Sequence, residues 1–175
     1  MSIQAVIRPK SVALVGANDK MSFGGHATRN LLASKDHTKV YLVNPNRDVL
    51  YGEKCYHNLS ELPEVPECVV VAVPKQAVNA VVEQAGAMGS KGAVVYASGY
   101  TEEHSEEGRQ LDAELRAIAA KYDMDVVGPN CMGVLNNVDN INLMGLGFST
   151  DSEGREHKVA IVSHSGSLSG ALTRR

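Results

Sequence analysis

What this chain lacks narrows it first. None of its apolar runs is long enough to span a membrane. Its opening, MSIQAVIRPK, does not have the charged-then-apolar order of a secretory leader. Cysteine is scarce. Cys55, Cys68 and Cys131 are odd in number, widely spaced and never in a CxxC pair. That argues against a disulfide framework and a zinc site, and it fits reduced thiols in a cytoplasm. Neither sign of charge is in marked excess: 17 Lys and Arg against 20 Asp and Glu leave a net charge of −3. The basic footprint of a nucleic-acid binder is absent. Partners that are nucleic acid or membrane are therefore not expected, nor is a metal site. Two phosphate-binding signatures are missing too. Gly16 has no glycine two residues on, so there is no GxGxxG, and no Gly-Lys-Ser/Thr marks a Walker loop.

What is present is a regular succession of apolar runs. They fall at 12–15, 40–43, 69–73, 93–97, 126–127 and 159–162. Several are continuous and β-branched, the pattern of strands buried on both faces of a parallel sheet. Helical stripes fill the gaps at 27–33, 76–88 and 106–122. The second aligns Val78, Val81, Val82 and Ala85, and the third aligns Leu111, Leu115, Ile118 and Ala119. Alternating strand and helix predicts an α/β fold, a doubly wound and mostly parallel sheet with right-handed crossovers. Residues 1–135 read as one such domain. Residues 136–157 are polar and glycine-bearing with a weak strand at 141–144, and read as a linker or edge hairpin. Residues 158–175 read as the strand and early helix of a second domain. That end of the chain invites packing against another copy, so a homo-oligomer stays open.

In a doubly wound sheet, ligands bind beyond the carboxyl ends of the strands. The first such loop holds Gly16, Ala17, Asn18, Ser22, Gly24 and Gly25. Its glycines either permit a tight turn or let backbone N–H groups and a helix N-terminus meet a diphosphate. Strand two ends in Asn44-Pro45, where an NAD site carries an acid. Arg47 nearby suits a ribose phosphate, as in NADP or coenzyme A, or is an exposed charge. Strand three ends at Val73-Pro74, strand four at Ser98, and strand five at GPNCMG, with Asn130 offering an amide donor and acceptor. Cys131 reads as a packing cysteine, since no basic residue adjoins it in sequence.

Seven segments in this order resemble one known family: RPKSVALVGAN (8–18), VYLVNPN (40–46), YGEKCY (51–56), VVVAVP (69–74), YASGYTE (96–102), VVGPNCMGVLN (126–136) and KVAIVSHSGSLS (158–169). The chain resembles the CoA-binding domain of NDP-forming acyl-CoA synthetases, the superfamily of succinyl-CoA synthetase α subunits. The resemblance implies a Rossmann-like first domain and the start of a flavodoxin-like second one. It implies that Gly16, Ala17, Asn18, Ser22 and Gly24 surround the CoA phosphates. Asn44, Pro45 and Arg47 would lie near the adenosine, Val73 and Pro74 along the groove, and Ser98 and Asn130 at the pantetheine end. Relatives often carry Lys after Asn-Pro, where this chain has Asn46.

The family reaction phosphorylates a histidine from ATP or GTP, passes the phosphate to a carboxylate and lets the CoA thiol attack. By resemblance the phosphohistidine and the ATP-grasp unit, with ATP and Mg, belong to parts of the complete enzyme outside this chain. Ser165, Gly166 and Ser167 would form a turn that holds the phosphohistidine's phosphate, with His164 a loop residue. No catalytic residue is assigned to this chain, and alone it is expected to bind CoA without making a thioester. Two alternatives stand: a CoA-binding regulatory domain of a protein acetyltransferase, and an NADP-dependent oxidoreductase domain. The loop spacing and the lack of a Lys, Tyr or His constellation disfavour the latter.

Overall fold

The computed structural model describes residues 3–147, 160–163 and 165. A short helix α1 (Gln4–Ile7) leads into β1 (Ser11–Val15), helix α2 (Phe23–Ala33) and β2 (Lys39–Val43). A tight hairpin follows, β3 (Val49–Leu50) and β4 (Glu53–Tyr56). Then come β5 (Cys68–Val71), α3 (Lys75–Met88), β6 (Gly92–Val95), α4 (Glu106–Tyr122), β7 (Asp125–Val127), and the pair β8 (Gly133–Asn136) and β9 (Ile141–Met144).

Seven strands form one sheet in the order β3-β4-β2-β1-β5-β6-β7, and all neighbours are parallel except β3 on β4. This is the doubly wound, Rossmann-like α/β sheet expected from the apolar runs. The chain starts in the middle at β1, winds outward to β4, then returns to β5 on β1's other side. The strand order therefore reverses between β1 and β5, where such sheets open a crevice.

The period-2 pleat sends alternate residues to opposite faces. Val12, Leu14, Val70 and Val94 face a core closed by Ala27 and Leu31 of α2, Val6 of α1, and Ile141 and Leu143 of β9. Ala13, Val69, Val71, Ala93 and Val95 face a second core closed by Val78, Val82 and Ala85 of α3 and Leu115 of α4. Local signals mark two helix boundaries where the sequence predicts them. Ser105 caps α4 by accepting the Gly108 N–H at 3.0 Å. Gly89, at φ +110°, stops α3.

Three features depart from the expectations. Gly24 and Gly25 belong to the first turn of α2, so the loop after β1 is residues 16–22, shorter than the sequence suggested. The hairpin β8–β9 packs its inner residues into the first core, and the division expected at residue 135 falls inside β8. Alternation is the physical reason: Ile141 and Leu143 point to one side and have core to cover. Finally, Ala160, Ile161 and Val162 carry no strand, since an apolar run becomes one only beside a partner to hydrogen-bond. Val159 and the expected helix after it lie outside the described residues. Among the described residues, no helix is long and apolar enough to cross a membrane.

Candidate functional site

The loop after β1 is held open by a network of its own side chains. Gly16 sits at φ +93°, and a Cβ there would collide with the carbonyl oxygen of Ala72 beyond β5. The two central strands thus approach too closely for any other residue. The N–H groups of Gly16 and Ala17 both donate to Val43 O, at 3.0 and 3.2 Å, tying the loop to β2. Asn18 is the hub. Its Nδ2 donates to Gly16 O at 2.9 Å, and its Oδ1 accepts from Lys20 N and Ser22 Oγ, both at 3.0 Å. Its backbone N–H donates to Thr28 Oγ1 at 3.1 Å, and Thr28 in turn donates to Gly24 O at 2.7 Å.

Ser22 caps α2, accepting the Gly25 N–H at 3.2 Å. The helix ladder begins with His26 N–H on Ser22 O at 2.8 Å. The N–H groups of Phe23 and Gly24, in the first turn, have no partner within the helix. With the helix dipole behind them, these N–H groups suit an anion. A Cβ on Gly24 would meet Asn18 and Gly16 O, and one on Gly25 would meet Lys20 O. These glycines are required by the loop packing against its own helix.

The end of β2 joins this cluster. Asn44 Nδ2 donates to Ala17 O at 2.7 Å, and Asn44 Oδ1 accepts the Asn46 N–H at 2.9 Å, an Asx turn that shapes the Pro45 corner. Arg47 reaches back to Asp19 at 3.3 Å, both side chains being about half exposed. Val73 and Pro74 follow β5 beside Gly16. At the far side the peptide Gly128–Pro129 is cis, and Asn130, at φ +54°, donates its backbone N–H to Ala97 O at 2.8 Å. That contact brings Asn130 beside exposed Ser98. The predicted residues therefore fall into one loop cluster on β1 and β2, a second on β6 and β7, and Val73-Pro74 between them.

Neighbouring strands are ~4.8 Å apart, so the row β2-β1-β5-β6-β7 spans ~19 Å. It suits an elongated ligand, anionic where α2 begins.

Cys131 is a packing residue. Its thiol donates to Val95 O at 3.2 Å and Val127 O at 3.5 Å, and burial pushes it up to about 11, so it is no thiolate at neutral pH. Four residues that sequence reasoning passed over belong to the same region. Thr28 locks the loop from one turn inside α2, and its spacing of four from Gly24 was the available signal. Asp19 holds Arg47. Phe23 lies half exposed against Tyr96, ring centroids 6.0 Å apart. Lys75, directly after Pro74, pairs with Glu103 and Glu107. Ser165 is exposed and donates its N–H to Ser163 Oγ at 3.0 Å. His164, Gly166 and Ser167 lie outside the described residues.

Comparison with known proteins shows the family. Residues 10–137 match the family described as CoA binding domain. The chain is 40% identical to a trans-feruloyl-CoA synthase from an unknown prokaryotic organism, over 97% of this chain and 24% of that one. It is 34% identical to the ADP-forming 4-hydroxybutyrate–CoA ligase of Nitrosopumilus maritimus, over 98% and 24%. The chain spans about a quarter of the length of these curated relatives. Among solved structures it is similar to the dinucleotide-forming acetyl-coenzyme A synthetase 1 of Ca. Korarchaeum cryptofilum, in complex with phosphate and ADP. There the TM-score is 0.84 and the identity 32%, over 99% of this chain and 36% of that one. With its reversed sheet, its capped loop and a match across most of its length, the chain belongs to the CoA binding domain family.

Proposed function

We propose that this chain is the CoA-binding portion of an ADP-forming acyl-CoA synthetase. The CoA diphosphate lies at the N-terminus of α2, over Gly16, Ala17, Asn18, Ser22 and Gly24. The adenosine lies towards Asn44, Pro45 and Arg47, and the pantetheine runs past Val73 and Pro74 to Ser98 and Asn130. The observation that carries this reading is the row of strand ends. It puts the N-terminus of α2 near one end and polar groups at the other, across a length that suits an extended cofactor.

In the complete protein, phosphoryl transfer and acyl activation fall to the remaining length, including an ATP-grasp unit as domain or subunit. ATP and Mg act there, and Ser165, Gly166 and Ser167 belong to that part of the chemistry. Residues 158–175 would then open the second domain, and the protein works in the cytoplasm. This chain's residues bind and orient the thiol carrier. No side chain described at the crevice is placed as a nucleophile, and the 175-residue chain forms no thioester alone.

Calorimetric titration with CoA, NADP and NAD tests the reading. CoA should bind and the dinucleotides should not. NADP binding without CoA binding would overturn it. Incubation with ATP, CoA and carboxylic acids should yield no acyl-CoA.

A further inference from the structure

The loop after β6 is anchored at both ends. At one end Asn130 holds Ala97 O. At the other, fully buried Tyr100 donates its hydroxyl to Asn79 Oδ1 at 3.1 Å, and Asn79 Nδ2 is fixed on Leu111 O and Glu114 Oε2. Between them lie Ser98 and Gly99. Glu102 shapes this bend locally by accepting the Gly99 N–H at 2.7 Å. The contact from outside the loop is Lys75.

Lys75 opens α3, immediately after Pro74. Its stem crosses the gap to the next loop and lies on Gly99. A Cβ at Gly99 would collide with the Lys75 stem, and the φ of +101° there further favours glycine. Beyond Gly99 the ammonium divides between Glu103 Oε2 at 3.2 Å and Glu107 Oε2 at 3.3 Å. The Lys75 side chain is only 19% exposed, although its partners are far more open. A lysine lying along a backbone and shared by two carboxylates is held in one place, unlike an ordinary surface pair.

We infer that Lys75 is a positioning residue for the pantetheine end of the crevice: it latches the Ser98-Gly99 bend to the start of α3 and sets the width between Pro74 and Ser98. Its charge also offsets Glu103 and Glu107, which would otherwise leave uncompensated negative charge beside the groove. This inference rests on the CoA-binding reading above. It makes Lys75 selective in effect, because the latch touches the thiol half of the ligand's path and not the diphosphate loop.

The test is calorimetric titration of the full chain with CoA and with adenosine 3′,5′-diphosphate, which lacks the pantetheine. K75M should weaken CoA binding about fivefold and leave adenosine 3′,5′-diphosphate unchanged, and K75R should restore most of the loss. Amide exchange at Gly99 should quicken in K75M. Equal CoA affinity, or equal loss for both ligands, would overturn the inference. Should K75M fail to fold, E107Q, which removes one exposed partner, should show the same split in smaller measure. If the wild-type chain binds no CoA, the underlying reading has failed. Exchange at Gly99 then judges the latch alone, and an unchanged rate in K75M rules it out.

Discussion

Replacing Ser22 separates what the loop does for the fold from what it does for the ligand. Ser22→Ala removes the α2 cap and the hydrogen bond from Ser22 Oγ to Asn18 Oδ1 at 3.0 Å. Loss of the cap costs ~1 kcal/mol. The second bond, half-buried, adds ~0.5 kcal/mol. A domain of this size loses about 2–4 °C of melting temperature per kcal/mol, so the variant should melt about 3–6 °C lower. CoA should bind several-fold more weakly, because the Phe23 and Gly24 N–H groups lose their aim. Ser22→Asp gives the decisive comparison. Aspartate is a good helix cap and suits the dipole, so most of the stability should return. Its charge, however, sits where the diphosphate is proposed to bind. Two unit charges about 4 Å apart cost ~1 kcal/mol even in water and more at a protein surface, so CoA affinity should fall at least about fivefold further. Differential scanning fluorimetry and calorimetric titration give the two numbers. If Ser22→Asp binds CoA as tightly as the wild type, no phosphate lies at this helix end.

The Asp19–Arg47 pair should behave asymmetrically. Arg47→Ala should weaken CoA binding about threefold to tenfold and Asp19→Asn should strengthen it about twofold, with both effects shrinking in 1 M salt; changes of the same sign would show that Arg47 faces no phosphate. Alkaline pH should destabilise the domain. Burial holds the Cys131 thiol up at about 11, and Cys68 and Tyr100 at about 12, from ordinary values of 9.0 for the thiols and 10.0 for the phenol. All three are neutral in the fold and ionise earlier when unfolded, so their contribution is complete below about pH 9 and lost as pH rises towards 12. A melting temperature flat from pH 8 to 11 would contradict this. Asn30 Nδ2 donates to Met144 O at 2.8 Å and Leu146 O at 2.6 Å, stapling the β8–β9 hairpin to α2. Asn30→Ala should cost about 1–2 kcal/mol and speed amide exchange in the hairpin; unchanged exchange there would show that core packing alone holds it.

The central strands were legible because burial on both faces leaves continuous apolar runs at β1, β5 and β6. The outer pieces carried weaker marks. β3 and β4 are two and four residues long, with exposed Glu53 and Lys54, and only Tyr51-Gly52, both at positive φ, signals their two-residue turn. β8 has no alternation to show. The extent of the first loop was misjudged for a physical reason. Gly24 and Gly25 are poor helix formers, yet they sit inside α2 because larger residues would strike the loop that folds over it. The strand-end rule located Asn44, Ser98 and Asn130 correctly at their loops. Lys75 and its carboxylates, 28 and 32 residues apart, meet only because α3 and α4 lie side by side, and no local pattern announces that.

The hairpin that covers one face of the sheet also sets an order of events during synthesis. Val12, Leu14, Val70 and Val94 are among the earlier residues to leave the ribosome, but their cover includes Ile141 and Leu143. Until those emerge, a nascent chain carries a half-open apolar wall, which is the state most inviting to chaperones and proteases. A fragment cut at residue 137, where the family match ends, would leave that wall half-open for good. The smallest piece that can be excised and still close both of its cores must run on through β9.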